Sequence, residues 1–147
     1  ILYYSIKCKV QSVKLMCPAK AGRYNFKLFM YTIDAKNKIV GRVASEAVYL
    51  LRGKNDPAFE THVMPHQKVL ITNAVHMKVS GDKAKKKIYK SYSGYPGGLK
   101  ETPYERAFAQ SPRKVLEHAI RGMLPKNRMA KRILRENLVI YKNGADA

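Results

Sequence analysis

The chain predicts an α/β fold, on three observations. Apolar stripes at helical spacing alternate along it with short apolar runs, the order of layered helices and strands. One of those runs, Val69-Leu70-Ile71, is continuous, the pattern of a strand covered on both faces in a parallel sheet. Two hydroxyl–proline pairs, Thr102-Pro103 and Ser111-Pro112, mark helix starts, with the hydroxyl as N-cap and proline at the first helical position.

Tyr31, Thr32 and Ile33 favour a strand over 30–34, ended by the turn-forming run Asp34-Ala-Lys-Asn-Lys. Val43, Ala44, Ala47, Val48 and Leu51 form one helical stripe, with Gly53 as its C-terminal stop. A second strand is expected over 68–74, and Val75, Met77 and Val79 continue apolar at alternate positions until Ser80-Gly81-Asp82 turns the chain. Ile88 to Tyr92 reads as another strand, and Gly94-Tyr95-Pro96-Gly97-Gly98 as a loop. Val115, Leu116, Ala119, Ile120 and Met123 stripe a helix that ends near Gly122. Pro125 separates it from a basic helix, and Leu138 to Tyr141 closes as a strand. His76 and His118 fall among apolar positions and read as packing residues.

Charge narrows the partner. The 147 residues hold 29 Lys and Arg against 10 Asp and Glu, a net charge of +19, and such self-repulsion calls for an anionic partner. No apolar run approaches the roughly 18 residues of a membrane span, so the partner is expected to be RNA or DNA. Apolar residues make up 46% of the chain, enough for a packed single domain and well above a disordered tail. Cys8 and Cys17 fit neither a zinc pair nor a disulfide framework, which predicts free thiols in a reducing compartment. Residues 1–29 carry Lys7, Lys9, Lys14, Lys20, Arg23 and Lys27 with no acid and no clear period. They read as an extended basic arm, either laid along nucleic acid or derived from an organelle-targeting extension.

Catalytic chemistry finds little support. His62 and His66 would share a helical face, but Pro65 opposes a helix there and Glu60 alone does not complete a zinc set. Gly53-Lys54 resembles the end of a phosphate loop, yet Val48 stands where its first glycine is needed and Asn55 where Ser or Thr would bind magnesium. Gly94, Gly97 and Gly98 lack the dinucleotide spacing, and no nucleophile elbow occurs. No enzyme, metal, cofactor or small-molecule substrate is expected.

Three features suit RNA instead. The stretch 121–135 holds six cations and no acid. Met129, Ile133 and Leu134 would dock it while Arg128, Lys131, Arg132 and Arg135 face outward, and a helix start near Asn127 would offer amides to phosphate. Lys83, Lys85, Lys86 and Lys87, between Lys78 and Lys90, flank a turn with Tyr89, Tyr92 and Tyr95 interleaved. Cations there would neutralise phosphates, while the tyrosines suit either base stacking or sheet packing. Gly97 and Gly98 either admit a ribose-phosphate backbone or simply form a tight turn.

Several segments carry a family resemblance: Tyr31 to Ala35, Gly41-Arg42-Val43-Ala44-Ser45, Leu51-Arg52-Gly53-Lys54, Ser93 to Thr102 and Gly122-Met123-Leu124-Pro125-Lys126-Asn127. In order and spacing they resemble ribosomal protein L13 (uL13) from about Met30 to Gly144. The resemblance implies a three-layer α/β/α fold around a mainly parallel four-stranded sheet. It also implies binding to large-subunit rRNA beside neighbouring large-subunit proteins, a part in early assembly, and no catalysis. By position it adds Arg42, Arg52 and Lys54 from the family's basic helix, Lys100 from its glycine loop, and Arg121 and Lys126 around its signature motif.

The chain departs from the usual bacterial pattern at Met30, at Met64-Pro65-His66-Gln67 and at Ala130-Lys131, which replaces a Gly-Arg pair. With the long acid-free arm, these departures resemble a mitochondrial member, a plastid or bacterial cytoplasmic one being the alternative. The expected organisation is a basic extension over 1–29, an L13-like domain over 30–144 and a short tail over 145–147. The rival function is an extra-ribosomal RNA-binding regulator of translation.

Overall fold

The computed structural model describes residues 30–57 and 59–144. The expected arm and tail lie outside them. Strand β1 (Met30–Asp34) leads through helix α1 (Val40–Leu51) to β2 (Lys68–Thr72), followed by a 3-10 turn at Ala74–His76. Helix α2 (Lys83–Lys86) precedes the hairpin β3 (Ile88–Tyr92) and β4 (Leu99–Pro103). Helices α3 (Tyr104–Gln110), α4 (Pro112–Met123) and α5 (Arg128–Glu136) then lead to β5 (Leu138–Ile140).

The main sheet is parallel in the order β1-β2-β5, with α1 as the crossover between its first two strands. Two cross-sheet rows, Tyr31-Val69-Leu138 and Ile33-Ile71-Ile140, point into the core. There they join Val43, Ala44, Ala47 and Leu51 of α1, Leu116 and Ile120 of α4, and Ala130 and Ile133 of α5. The row between them, Thr32-Leu70-Val139, faces the other way. It is only half covered, and Val139 remains 40% exposed, so the expectation of a strand buried on both faces is corrected at Leu70.

The four-stranded sheet implied by the resemblance is also corrected: this sheet has three strands, and β3 and β4 form a separate antiparallel pair. The six residues 93–98 joining β3 to β4 are too short for a parallel crossover. The alternating run 75–79 does not pair as a strand either. Asn73 turns the backbone with φ 59° into the 3-10 segment, and only a single parallel bridge, Ile39 to Lys78, forms beyond it.

Local signals account for most element ends. Gly53 ends α1 at φ 72°, where an added Cβ would stand 3.2 Å from Pro65 Cβ. Ser111 occupies the N-cap position of α4 with Pro112 behind it, but its hydroxyl caps nothing; its carbonyl accepts the amides of Lys114 and Val115. Thr102 is no N-cap, because it pairs with Tyr89 in β4, and Pro103 takes the cap position of α3. Helix α2 and strand β4 are both absent from the sequence expectation. His76 and His118 are both exposed rather than buried packing residues, although the His118 ring meets the Tyr89 ring edge-on at 5.3 Å.

Candidate nucleic-acid interface

Helix α5 separates its residue types by periodicity. Positions 128, 131, 132 and 135 lie at i, i+3, i+4 and i+7, and all four cations are exposed. Ala130 and Ile133 are buried on the opposite side, with Met129 and Leu134 half-buried against the core. The Asn127 side chain accepts the Ala130 amide at 2.9 Å, so one amide expected to face a phosphate is already used. Arg132 is partly neutralised, its Nε donating to Glu136 Oε1 and Oε2 at 3.0 and 3.2 Å. Arg128, Lys131 and Arg135 form no ion pair among the described residues.

The turn before α5 is anchored by Leu124, which is buried and donates its amide to Ile120 O at 3.0 Å. Pro125 accepts the Asn127 amide at 2.9 Å, leaving Lys126 exposed. Ser45 Oγ lies 3.7 Å from Met123 Sδ, which brings this turn beside the first turns of α1 and so toward Arg42. Arg121 is paired with Glu117 at 3.1 Å.

The cations of α1 do not make one patch. Arg42 and Arg52 sit ten residues apart, about 15 Å along a helix. Arg42 is exposed near the N-terminus; Arg52 lies over the Phe59 ring at 5.9 Å, and Lys54 is exposed just past the glycine stop. The bridge at Ile39 adds a cation that sequence spacing does not associate with α1, because it sets Lys78 beside the start of the helix. Only strand pairing reveals that neighbour.

A second basic region surrounds the hairpin. Lys83, Lys85, Lys86 and Lys87 are exposed on and beside α2, where Asp82, Lys83, Lys86 and Lys87 line an open depression of about 350 Å³. Lys86 contacts Asp82 at 3.4 Å, and Lys87 lies over the Tyr89 ring at 5.3 Å. Tyr89 is a packing residue: its ring meets Tyr104 at 6.3 Å and His118 at 5.3 Å, and burial raises its hydroxyl pKa. Burial raises that of Tyr104 too, with the nearby Tyr89 adding to it. Tyr92 and Tyr95 stay open.

Gly97 has φ 72°, and Gly98 donates to Tyr95 O at 2.9 Å. A Cβ on Gly98 would collide with the Ser93 side chain and lie 2.9 Å from Tyr95 O, so the turn itself requires these glycines. Lys100 is exposed on β4 opposite Ser91. Among the described residues no helix is long and apolar enough to cross a membrane, and no three His, Cys, Asp or Glu side chains are placed to hold a metal.

The docked helices of this α/β domain hold cations outward as fixed positive charge, the electrostatic feature looked for in a protein that meets an anionic polymer. The family model of ribosomal protein L13 matches residues 29–146, and the chain belongs to that family. It is 45% identical over 111 residues to the large ribosomal subunit protein uL13 of Rubrobacter xylanophilus, covering 76% of this chain and 77% of the relative. Against that of Thermus thermophilus it is 46% identical over 109 residues, 74% and 77% of the two chains. The Symbiobacterium thermophilum relative matches 121 residues at 43% identity, 82% and 84% of the two.

Proposed function

We propose that this protein is a non-catalytic constituent of the large ribosomal subunit, holding large-subunit rRNA and neighbouring proteins together during assembly. Family membership across residues 29–146 carries the reading. The α5 array supplies its mechanism: Arg128, Lys131 and Arg135 are fixed outward by Ala130 and Ile133, so cations are ordered before phosphate arrives. Lys126 and Arg42 extend this surface past the signature turn, and Lys83, Lys85, Lys87, Tyr95 and Lys100 offer a second region of contact. The folded unit 30–144 binds RNA, with 1–29 as a basic extension.

The acid-free extension also favours a mitochondrial setting, although the named relatives are bacterial. Imaging of the tagged precursor is expected to give a mitochondrial signal; a purely cytosolic one would refute that location alone. Co-sedimentation with large subunits tests the function itself. Lys126→Glu with Arg128→Glu is expected to cut incorporation at least about tenfold, since reversing two phosphate contacts removes well over 1.4 kcal/mol. The unfolding midpoint should stay unchanged; normal incorporation refutes the assigned surface.

A further inference from the structure

One broad exposed face of the hairpin is apolar. Because directly opposed residues of an antiparallel pair share a face, the register puts Ile88, Lys90 and Tyr92 beside Pro103, Glu101 and Leu99. Ile88 is 49% exposed, Leu99 55% and Tyr92 65%. The two charged groups in their midst cancel: Lys90 Nζ lies 2.8 Å from Glu101 Oε1. The other face is spoken for at its base, where Tyr89 packs on Tyr104 and His118. The Tyr104 amide also donates to Lys87 O at 2.8 Å, so the hairpin is tied to α3 and holds its apolar face outward.

We propose that the Ile88-Tyr92-Leu99-Pro103 face docks against an apolar, near-neutral surface of a neighbouring large-subunit protein, a reading that rests on the ribosomal function above. Charge complementarity selects the occupant. Polyphosphate calls for uncompensated cations, and a face whose lysine is spent on Glu101 supplies none, while the carboxylate repels phosphate. Nearby lysines that form no ion pair among the described residues lie elsewhere, among them Lys83 and Lys85 on α2 and Lys100 on the opposite hairpin face. Exposed aromatic and aliphatic side chains around one mutually neutralised ion pair make an apolar patch suited to a protein neighbour rather than to polyphosphate.

Two measurements test this. A benzophenone amino acid replacing Tyr92 or Leu99 is expected, in purified large subunits, to give an adduct with one large-subunit protein identified by mass spectrometry. The same probe at Lys131 should give RNA adducts. From positions 92 and 99, an adduct with rRNA, with a second copy or with residues 1–29, or no adduct, overturns the docking proposal. Separately, Tyr92→Ser with Leu99→Ser is expected to leave affinity for a naked rRNA fragment within about twofold while lowering subunit incorporation about tenfold, as for loss of a small contact hot spot. A matching loss of RNA affinity, or unchanged incorporation, counts against it. If the unmodified protein does not sediment with large subunits, the ribosomal function itself fails; if it does and position 92 labels RNA, only the docking assignment fails.

Discussion

Asp34 shows what a single side chain does at a strand end. Its Oδ1 accepts from Asn73 Nδ2 at 2.8 Å and from the Lys36 amide at 3.0 Å, and these bonds, the Asn73 one foremost, hold its pKa below the ordinary carboxylate value. A depressed folded pKa adds stability above the unfolded value of about 3.9 and loses it as pH falls toward the folded one. Asp34→Ala is therefore expected to lower the urea midpoint at pH 7, by under about 1 kcal/mol because the carboxylate is solvent-screened. The deficit should shrink below about pH 4, so a constant deficit from pH 7 to pH 3 would contradict the bond's ionic character. Gly98 carries the opposite lesson: a residue suited by its type to close RNA approach is required first by its own turn.

At the scale of elements, the nine residues of α5 combine a docking stripe and a charged face, and Asn127 just before them supplies the cap. Asn127→Ala removes the side-chain acceptor for the Ala130 amide and is expected to cost about 1 kcal/mol, read from thermal or urea unfolding. RNA affinity should respond differently along the helix. Lys131→Ala and Arg135→Ala are each expected to weaken binding to the rRNA fragment and reduce the salt slope by about one, whereas Arg132→Ala, already engaged by Glu136, should do less. Equal effects in a salt titration would mean that Glu136 releases Arg132 on binding. The hairpin divides its work likewise, with an inward aromatic face at Tyr89 and an outward one whose charges cancel.

For the whole molecule, +19 over 147 residues is a binding device only where the fold spaces the cations. If about six to ten phosphates are engaged, the logarithm of affinity should fall with the logarithm of salt by about 0.7 to 0.9 per contact. A nearly salt-independent affinity for the rRNA fragment would contradict the electrostatic mechanism. The core that supports this charge is one cluster joining α1, α4 and α5 to the inward rows of the sheet, so the α1 and α5 cations share a common support.

Periodicity and turn chemistry are local properties, and by themselves they determined much of this protein. Tyr31 to Ile33, the stripe from Val43 to Leu51, the run at Val69 to Ile71 and the proline at 112 predict β1, α1, β2 and α4; the outward cations of α5 follow from spacing alone. The signature at Gly122 to Asn127 is legible for the same reason: it is contiguous. Tertiary structure decided what depends on residues far apart in the chain. It pairs β4 with β3 rather than adding a fourth parallel strand, because a six-residue link cannot cross over. It leaves Leu70 beside an exposed Val139 where an apolar run alone suggests two covered faces. It also decides which cations are spent, since the carboxylate that neutralises Lys90 is eleven residues away and reaches it only through strand register.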